Sequence, residues 1–312
     1  MLVLLREKMK KQFVVLLTLL FSFNLLFAET NTEKFWNLWN SDNQEKAEEL
    51  LQNWEKKNKK DPELYVCYFN MYIMKASNEQ MHVESFLPEN FNGQYMEGQN
   101  ENGDKIYIYS IIVYSIIEYD DDLCLKAFEY IDKGLSYNPK RLDMYFGKAH
   151  LYYLRKDYKN QCELLKNIFD LNKKNKSNWL WSNNTPAKEA GVDFETSMHE
   201  YIGKWLKEKS EDSIKYAKEL SVVSIKYFPK NPIAYNDAGI CCIISNDLKS
   251  AKEYFKTGYE LDKSDMIILT NLAYVSKNLG EIEEAIKYYK LLEQSTDEQY
   301  SSIAKRQLET LQ

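Results

Sequence analysis

The chain has 312 residues, of which 44% are hydrophobic, 14% aromatic and 28% charged, with only 10 Gly and 6 Pro. This composition excludes collagen-like and low-complexity chains, and so few helix breakers argue against an all-β protein. The formal net charge is −6 and the chain has four arginines. Binding to nucleic acid is therefore not expected, because an acidic chain repels phosphate backbones. The length predicts two domains or one elongated array.

Residues 1–28 have the pattern of a cleavable secretory signal. Four basic residues precede an apolar run, 13–27, which ends at Ala28. An uncleaved anchor is the alternative, but this run of about 15 residues contains polar interruptions and is short of the roughly 20 needed to span. Met9 is an alternative start. We expect an exported mature chain, secreted or periplasmic, with no stable membrane span and a net charge of −9, since four basic groups and one acid are removed.

The central and C-terminal parts of the chain repeat with a period of 34 residues. Ala217, Ala251 and Ala285 share one register, and Tyr289 lies 34 residues after Phe255. Within each period two apolar stripes at helical spacing flank a short polar turn. Each period is therefore predicted to be a helix, a tight turn and an antiparallel helix.

These residues resemble the tetratricopeptide repeat family. That family has aromatic residues in both helices, a small residue where the helices cross, Ala in the second helix and Pro near the end. The matching residues of copies 232–265 and 266–299 are Tyr235, Gly239, Ala251, Phe255, Ala273, Ala285 and Tyr289. Pro229 would close a preceding copy, 198–231, in which Trp205 occupies the small crossing position, so that this helix pair must be displaced or irregular. The segment 141–148 also resembles a stretch of uncharacterised secreted bacterial tetratricopeptide proteins.

A second array precedes the first and is out of phase with it. Gln161 lies 34 residues after Ala127, and a copy over 108–141 would end at Asn138-Pro139. An insertion of about 22 residues explains the phase shift. The N-terminal stretch also has helical stripes, with Ala47, Leu51 and Trp54 on one of them, a capping box at Ser41 and Gln44, and a helix start at Asp61-Pro62.

Residues 78–109 interrupt the helical pattern. Asn102-Gly103-Asp104 precedes alternating Ile and Tyr, which is a hairpin signal. Ile111 to Tyr119 fits either a strand or the start of the next helix. The predicted fold is all-α, a right-handed α-solenoid of helix-turn-helix repeats with a small β-hairpin or loop insertion. The predicted regions are a signal peptide (1–28), an N-terminal helical repeat region (29–77), the insertion (78–109), repeats (110–175), a connector (176–197), repeats (198–299) and a C-terminal capping helix (300–312).

Candidate catalytic, cofactor-binding and metal-binding residues are not found. His82, His150 and His199 are far apart, and the chain has neither a phosphate loop nor a nucleophile elbow. Asp120 to Asp122 fail the EF-hand pattern and are predicted to cap a helix beginning near Leu123. The five cysteines, in apolar helical stretches without CxxC spacing, are predicted to be buried thiols, with one disulfide as the alternative. We expect no enzyme and no cofactor.

The resemblance implies a scaffold that binds an extended peptide or protein segment on its concave face. The residues it places in this groove are Asn236, Ile240, Thr270, Asn271, Tyr274, Asn278, Phe146 and His150. The alternative is a small-ligand or glycan-binding protein that uses Trp179 and Trp181 of the connector. Those tryptophans could instead cover the apolar seam between the two arrays. The partner's identity and the oligomeric state stay open.

Overall fold

The computed structural model describes residues 29–85, 96–99, 102–108 and 111–311. The chain divides into two compact units, Met1–Lys56 and Lys57–Gln312. The predicted signal peptide lies outside the described residues, as do parts of the predicted insertion.

The first unit contains α1 (Asn31–Asn40) and most of α2 (Gln44–Lys57). The predicted stripe of Ala47, Leu51 and Trp54 is buried. The predicted capping box at Ser41 and Gln44 is wrong, because Ser41 is the C-cap of α1 and its hydroxyl donates to the Asn37 carbonyl at 2.5 Å. The capping box lies instead at the start of α1, between Thr30 and Glu33.

The second unit consists of helices in antiparallel hairpins with one β insertion. Its elements are α3 (Pro62–Ala76), β1 (Ser77–Ser85), β2 (Met96–Gln99), β3 (Lys105–Ile108), β4 (Ile111–Tyr119), α4 (Asp121–Tyr137), α5 (Leu142–Leu154), α6 (Tyr158–Asn175), α7 (Phe194–Glu208), α8 (Glu211–Tyr227), α9 (Pro232–Ile244), α10 (Leu248–Leu261), α11 (Met266–Asn278), α12 (Ile282–Glu293) and α13 (Glu298–Leu311). The predicted all-α repeat fold with a small β insertion is confirmed.

The β insertion replaces the turn of a helical hairpin. α3 packs against α4, although 44 residues separate Ala76 from Asp121 in the chain. Ser77 pairs with Tyr119 at the base of the antiparallel β1–β4 ladder, and the Asp120 N–H donates to the Ala76 carbonyl at 2.9 Å. The insertion therefore leaves and re-enters the helical array at adjacent points, as a tight turn would.

This arrangement corrects the predicted copy over 108–141. Ile111–Tyr119 is strand β4, so the helix that pairs with α4 is α3 and the insertion extends past 109. Five of the seven residues 111–117 are Ile or Val, which favours a strand, and this strand pairs with β1. The predicted hairpin is confirmed as the β2–β3 ladder, whose turn contains Gly103 with φ of 82°. Asp120 is the N-cap of α4, as predicted, and accepts from the Leu123 N–H at 2.9 Å.

Aromatic rings and glycines set the spacing of the helices. Between α3 and α4 the Tyr130 ring stacks on Tyr68 at 4.1 Å and on Tyr72 at 5.4 Å between centroids. In α9 a Cβ on Gly239 would lie 2.4 Å from the buried Phe255 ring of α10. Only glycine permits this approach, which explains the small residue at the helix crossing.

Trp205 fills the interior of the middle hairpin, α7–α8. Its ring is fully buried in α7, and its indole N–H donates to the Gln161 side-chain oxygen of α6 at 2.7 Å. Helix α8 packs against both α6 and α7. A large buried side chain thus stands where the neighbouring repeats have Gly or Ala, and the irregular geometry of this pair stays a prediction.

The last two hairpins, α9–α10 and α11–α12, share one buried cluster with α13. Their buried cluster includes Phe255, Leu272, Tyr289, and Ala304 and Leu308 of α13. All five cysteines are buried free thiols, as predicted. Among the described helices, each is too short or too polar to cross a membrane.

Candidate binding face

We call the surface formed by α5, α7, α9 and α11, the first helices of successive hairpins, the first-helix face. Side chains join these helices directly. The Asn271 amide of α11 donates to the Asn236 amide oxygen of α9 at 2.8 Å. The Tyr201 hydroxyl of α7 donates to the Phe146 carbonyl of α5 at 3.3 Å. The first helices are therefore neighbours along the array and present one continuous surface.

An apolar stripe lies on α9 and α11. Ile233 and Ile244 of α9 are 40% and 47% exposed, and Ile267 and Tyr274 of α11 are 54% and 48% exposed. Helical periodicity places Ile233, Ile240 and Ile244 on one side of α9, as it does Ile267, Asn271, Tyr274 and Asn278 on α11. Exposed large apolar side chains grouped in this way are typical of interaction surfaces.

The polar residues that the sequence predicts to line a groove differ in whether their side chains already have hydrogen-bond partners. Thr270 donates to the Met266 carbonyl at 2.6 Å and Asn278 to the Tyr274 carbonyl at 2.7 Å, so both already bond their own helix. Asn236 is only 9% exposed and accepts from Asn271. Asn271 is half-buried and keeps further donor and acceptor capacity after this one bond.

The two upstream residues of the predicted groove, Phe146 and His150, lie in different surroundings. Phe146 is half-buried, with the rings of Trp181 and Tyr201 at 6.1 Å and 5.5 Å from its own. His150 is exposed, and its ring stacks near that of Tyr153 at 6.3 Å. Phe146 is thus largely enclosed by the connector and α7, whereas His150 is more exposed, although partial burial of its ring lowers its pKa.

A histidine–aspartate pair on this face was missed by the sequence reasoning. Nδ1 of His199 in α7 lies 2.9 Å from an Asp237 carboxylate oxygen in α9, and the Asp237 side chain is 2% exposed. The hydrogen bond to Asp237 raises the pKa of His199, and burial raises the pKa of Asp237. The pair joins two repeats through an ionisable imidazole. The sequence indicates this pair only through Asp237, which is the one charged residue of α9.

The connector packs as a cover over α5 and α6. Trp179 is only 4% exposed, its indole N–H donates to the Asn172 side-chain oxygen at 2.7 Å, and its ring stacks parallel to Phe194. Trp181 is half-buried with its ring edge against Phe146. Trp179 therefore has no face left for a sugar, and the interpretation as a cover of the apolar seam describes it better than that of a ligand contact.

A buried arginine holds the connector in place. Arg141 is 0% exposed, makes paired bonds of 2.8 Å and 2.7 Å to the Asp143 carboxylate, and lies 2.8 Å from the Glu63 carboxylate. The backbone of Leu180 bonds to Lys140 and Leu142, the two residues that flank Arg141. The Glu63 carboxylate also accepts from the Asn183 N–H at 2.8 Å. This network ties α3, α5 and the connector together.

Within the described residues, groups of three or more His, Cys, Asp or Glu that could hold a metal ion are not found. Residues 268–294, which cover most of α11 and α12, match the tetratricopeptide repeat family model. No curated protein sequence matches the chain.

The chain is also similar to several solved structures. YrrB, described as a TPR protein with an unusual peptide-binding site, is 14% identical over 82% of this chain and 97% of its own, with a TM-score of 0.39. PilW, a type IV pilus biogenesis factor, is 12% identical over 88% of this chain and 96% of its own, with a TM-score of 0.36. A human IFIT1 dimer with PPP-AAAA is 11% identical over 86% of this chain and 50% of its own, with a TM-score of 0.33. Within the second unit, the α11–α12 hairpin thus matches the sequence model of the tetratricopeptide repeat family, and the neighbouring α9–α10 hairpin has the same helix-turn-helix form.

Proposed function

We propose that the protein is an exported interaction scaffold that binds an extended peptide or protein segment on the concave side of its repeat array, along the first-helix face. The observation that supports this most is the exposed apolar stripe of α9 and α11. Ile267 and Tyr274 are about half exposed in a helix whose opposite side is buried in the core. Tetratricopeptide-like arrays present such surfaces to segments of partner proteins.

The export part of the proposal is supported by the residue pattern of 1–28. Intact mass and N-terminal sequencing of protein from the producing cells test it. Cleavage after Ala28 is the expected result, and an unprocessed chain would contradict cleavage.

The binding part is tested by photocross-linking in the producing cells. A photoreactive phenylalanine analogue replaces Tyr274 on the first-helix face or, as a matched control, Leu125, which is 63% exposed on α4 outside that face. We expect a discrete protein adduct from position 274 that is absent from position 125. Equal adducts from the two positions, or no adduct from 274, would refute binding on this face.

A further inference from the structure

In the last two repeats, the first helices contain far fewer charged residues than the second helices. The 13 residues of α9 contain one charged side chain, Asp237, and the 13 residues of α11 also contain one, Lys277. The 14-residue α10 has five, Lys249, Lys252, Glu253, Lys256 and Glu260. The 12-residue α12 has five as well, Glu283, Glu284, Lys287, Lys290 and Glu293.

Both charges of the first helices are already engaged by neighbouring residues. The Asp237 carboxylate is buried and bonded to His199. The ammonium of Lys277 donates to the side chains of Gln307 at 2.8 Å and Thr310 at 3.1 Å, both on α13. The surface that Ile233, Ile244, Ile267 and Tyr274 expose is therefore apolar without an ionic group available for a partner.

This surface discriminates against charged segments on physical grounds. A Lys or Glu side chain placed on it loses hydration, and α9 and α11 offer no opposite charge in return. An apolar side chain gains about 25 cal/mol for each Å² of apolar area removed from water. This difference favours partner segments that have apolar side chains and no charged ones.

The half-buried Asn271 adds a polar contact that does not depend on the partner's side chains. Its amide donates one N–H to Asn236, so that the second N–H and the amide oxygen can bond the backbone of an extended chain. Along α11 the stripe from Ile267 to Asn278 covers about 16 Å, the length of about five residues of extended chain.

We infer that the α9–α11 part of the first-helix face recognises an uncharged, apolar segment of a partner protein, bound in extended conformation. This inference rests on the proposed function and specifies the chemistry of its partner. Aliphatic and aromatic side chains pack against Ile233, Ile244, Ile267 and Tyr274, and the partner's backbone bonds the Asn271 amide.

Selection from random twelve-residue peptides displayed on phage tests the inference. The purified protein is the bait, and Tyr274→Glu and Leu125→Glu variants serve as the disrupted face and the matched control. Urea unfolding midpoints equal to that of the wild type show that the variants fold, as expected at positions 48% and 63% exposed. Peptides bound by the wild type should share an apolar stretch of about five residues without Asp, Glu, Lys or Arg. Tyr274→Glu should reduce their recovery at least about tenfold, and Leu125→Glu should leave it unchanged.

The two ways of failing are distinct. Recovered peptides that depend on Tyr274 but carry charged residues within the bound stretch would overturn the inference and leave the proposed function standing. Failure to recover any peptide that depends on Tyr274 would contradict both.

Discussion

The pairing of α3 with α4 across the β insertion makes Gly134 the most informative position for mutation. A Cβ at Gly134 of α4 would lie 2.6 Å from the Cβ of Tyr65 in α3 and 2.3 Å from the end of the Met144 side chain. Met144 can move at its flexible end, but Tyr65 is buried and its Cβ is fixed to the backbone. We therefore expect Gly134→Ala to force α3 and α4 apart.

The magnitude follows from two opposing terms. Overpacking of a core by one methyl group costs about 1–3 kcal/mol, and contact with an immobile Cβ favours the upper end. Replacing Gly by Ala within a helix returns about 1 kcal/mol. Gly134→Ala should therefore destabilise the protein by about 1–2 kcal/mol.

Gly203→Ala is the matched control, because Gly203 lies within α7 and a Cβ there would meet nothing within 4 Å. It should stabilise the protein by up to about 1 kcal/mol. Urea denaturation measures both variants, as a change in midpoint at constant slope. If Gly134→Ala proves as stable as Gly203→Ala, the close packing of α3 against α4 is refuted.

Three further predictions concern buried polar and titratable groups. Arg141→Ala should lower the free energy of unfolding by about 3 kcal/mol in urea denaturation, because it leaves the partly buried carboxylates of Glu63 and Asp143 without their cation; a loss under about 1 kcal/mol would contradict this. Because folding raises the pKa of His199, its contribution to stability is complete below about pH 6.5 and is lost as the pH rises through the higher pKa of the folded state. The urea midpoints of the wild type and His199→Gln should therefore converge at alkaline pH. A difference that stays constant with pH would contradict this. Burial raises the pKa of Cys162 and Cys241 to about 12, so a disulfide reagent at neutral pH should modify no thiol in the native protein and five after denaturation; fewer than five would reveal a disulfide.

The regular repeats could be predicted from the sequence because their signal is local. Ala251, Ala285, Phe255 and Tyr289 recur at a fixed period, and each lies in the core that the period implies. The resemblance to tetratricopeptide repeats implies a small residue at the helix crossing, and at Gly239 the Phe255 ring leaves no room for a Cβ.

The β insertion could be predicted only in part. Asn102-Gly103 specified the turn between β2 and β3, since a turn depends on adjacent residues. The run 111–119 fits a strand or a buried helix equally well, and its state depends on pairing with 77–85, which no local pattern encodes. The apparent copy over 108–141 arose because β-branched residues of a strand coincided with the helical register.

The contacts of the candidate site were the least predictable. His199 and Asp237 are 38 residues apart, and their pairing follows from the stacking of α7 beside α9. The same holds for Trp179, whose burial depends on the path by which the connector folds back onto α5. Positions on one helix face can be inferred from periodicity, whereas contacts between repeats require the packing itself.

The central claim is that a partner segment lies on the apolar stripe of α9 and α11. The most direct test uses the partner that cross-linking identifies. Its Kd is measured in solution for the wild type and for the Tyr274→Ala and Leu125→Ala variants. Removing an aromatic ring from the centre of an interface typically costs at least about 1.4 kcal/mol, or tenfold in affinity. We predict at least this loss for Tyr274→Ala and an unchanged Kd for Leu125→Ala. Equal affinities for the two variants would contradict the account.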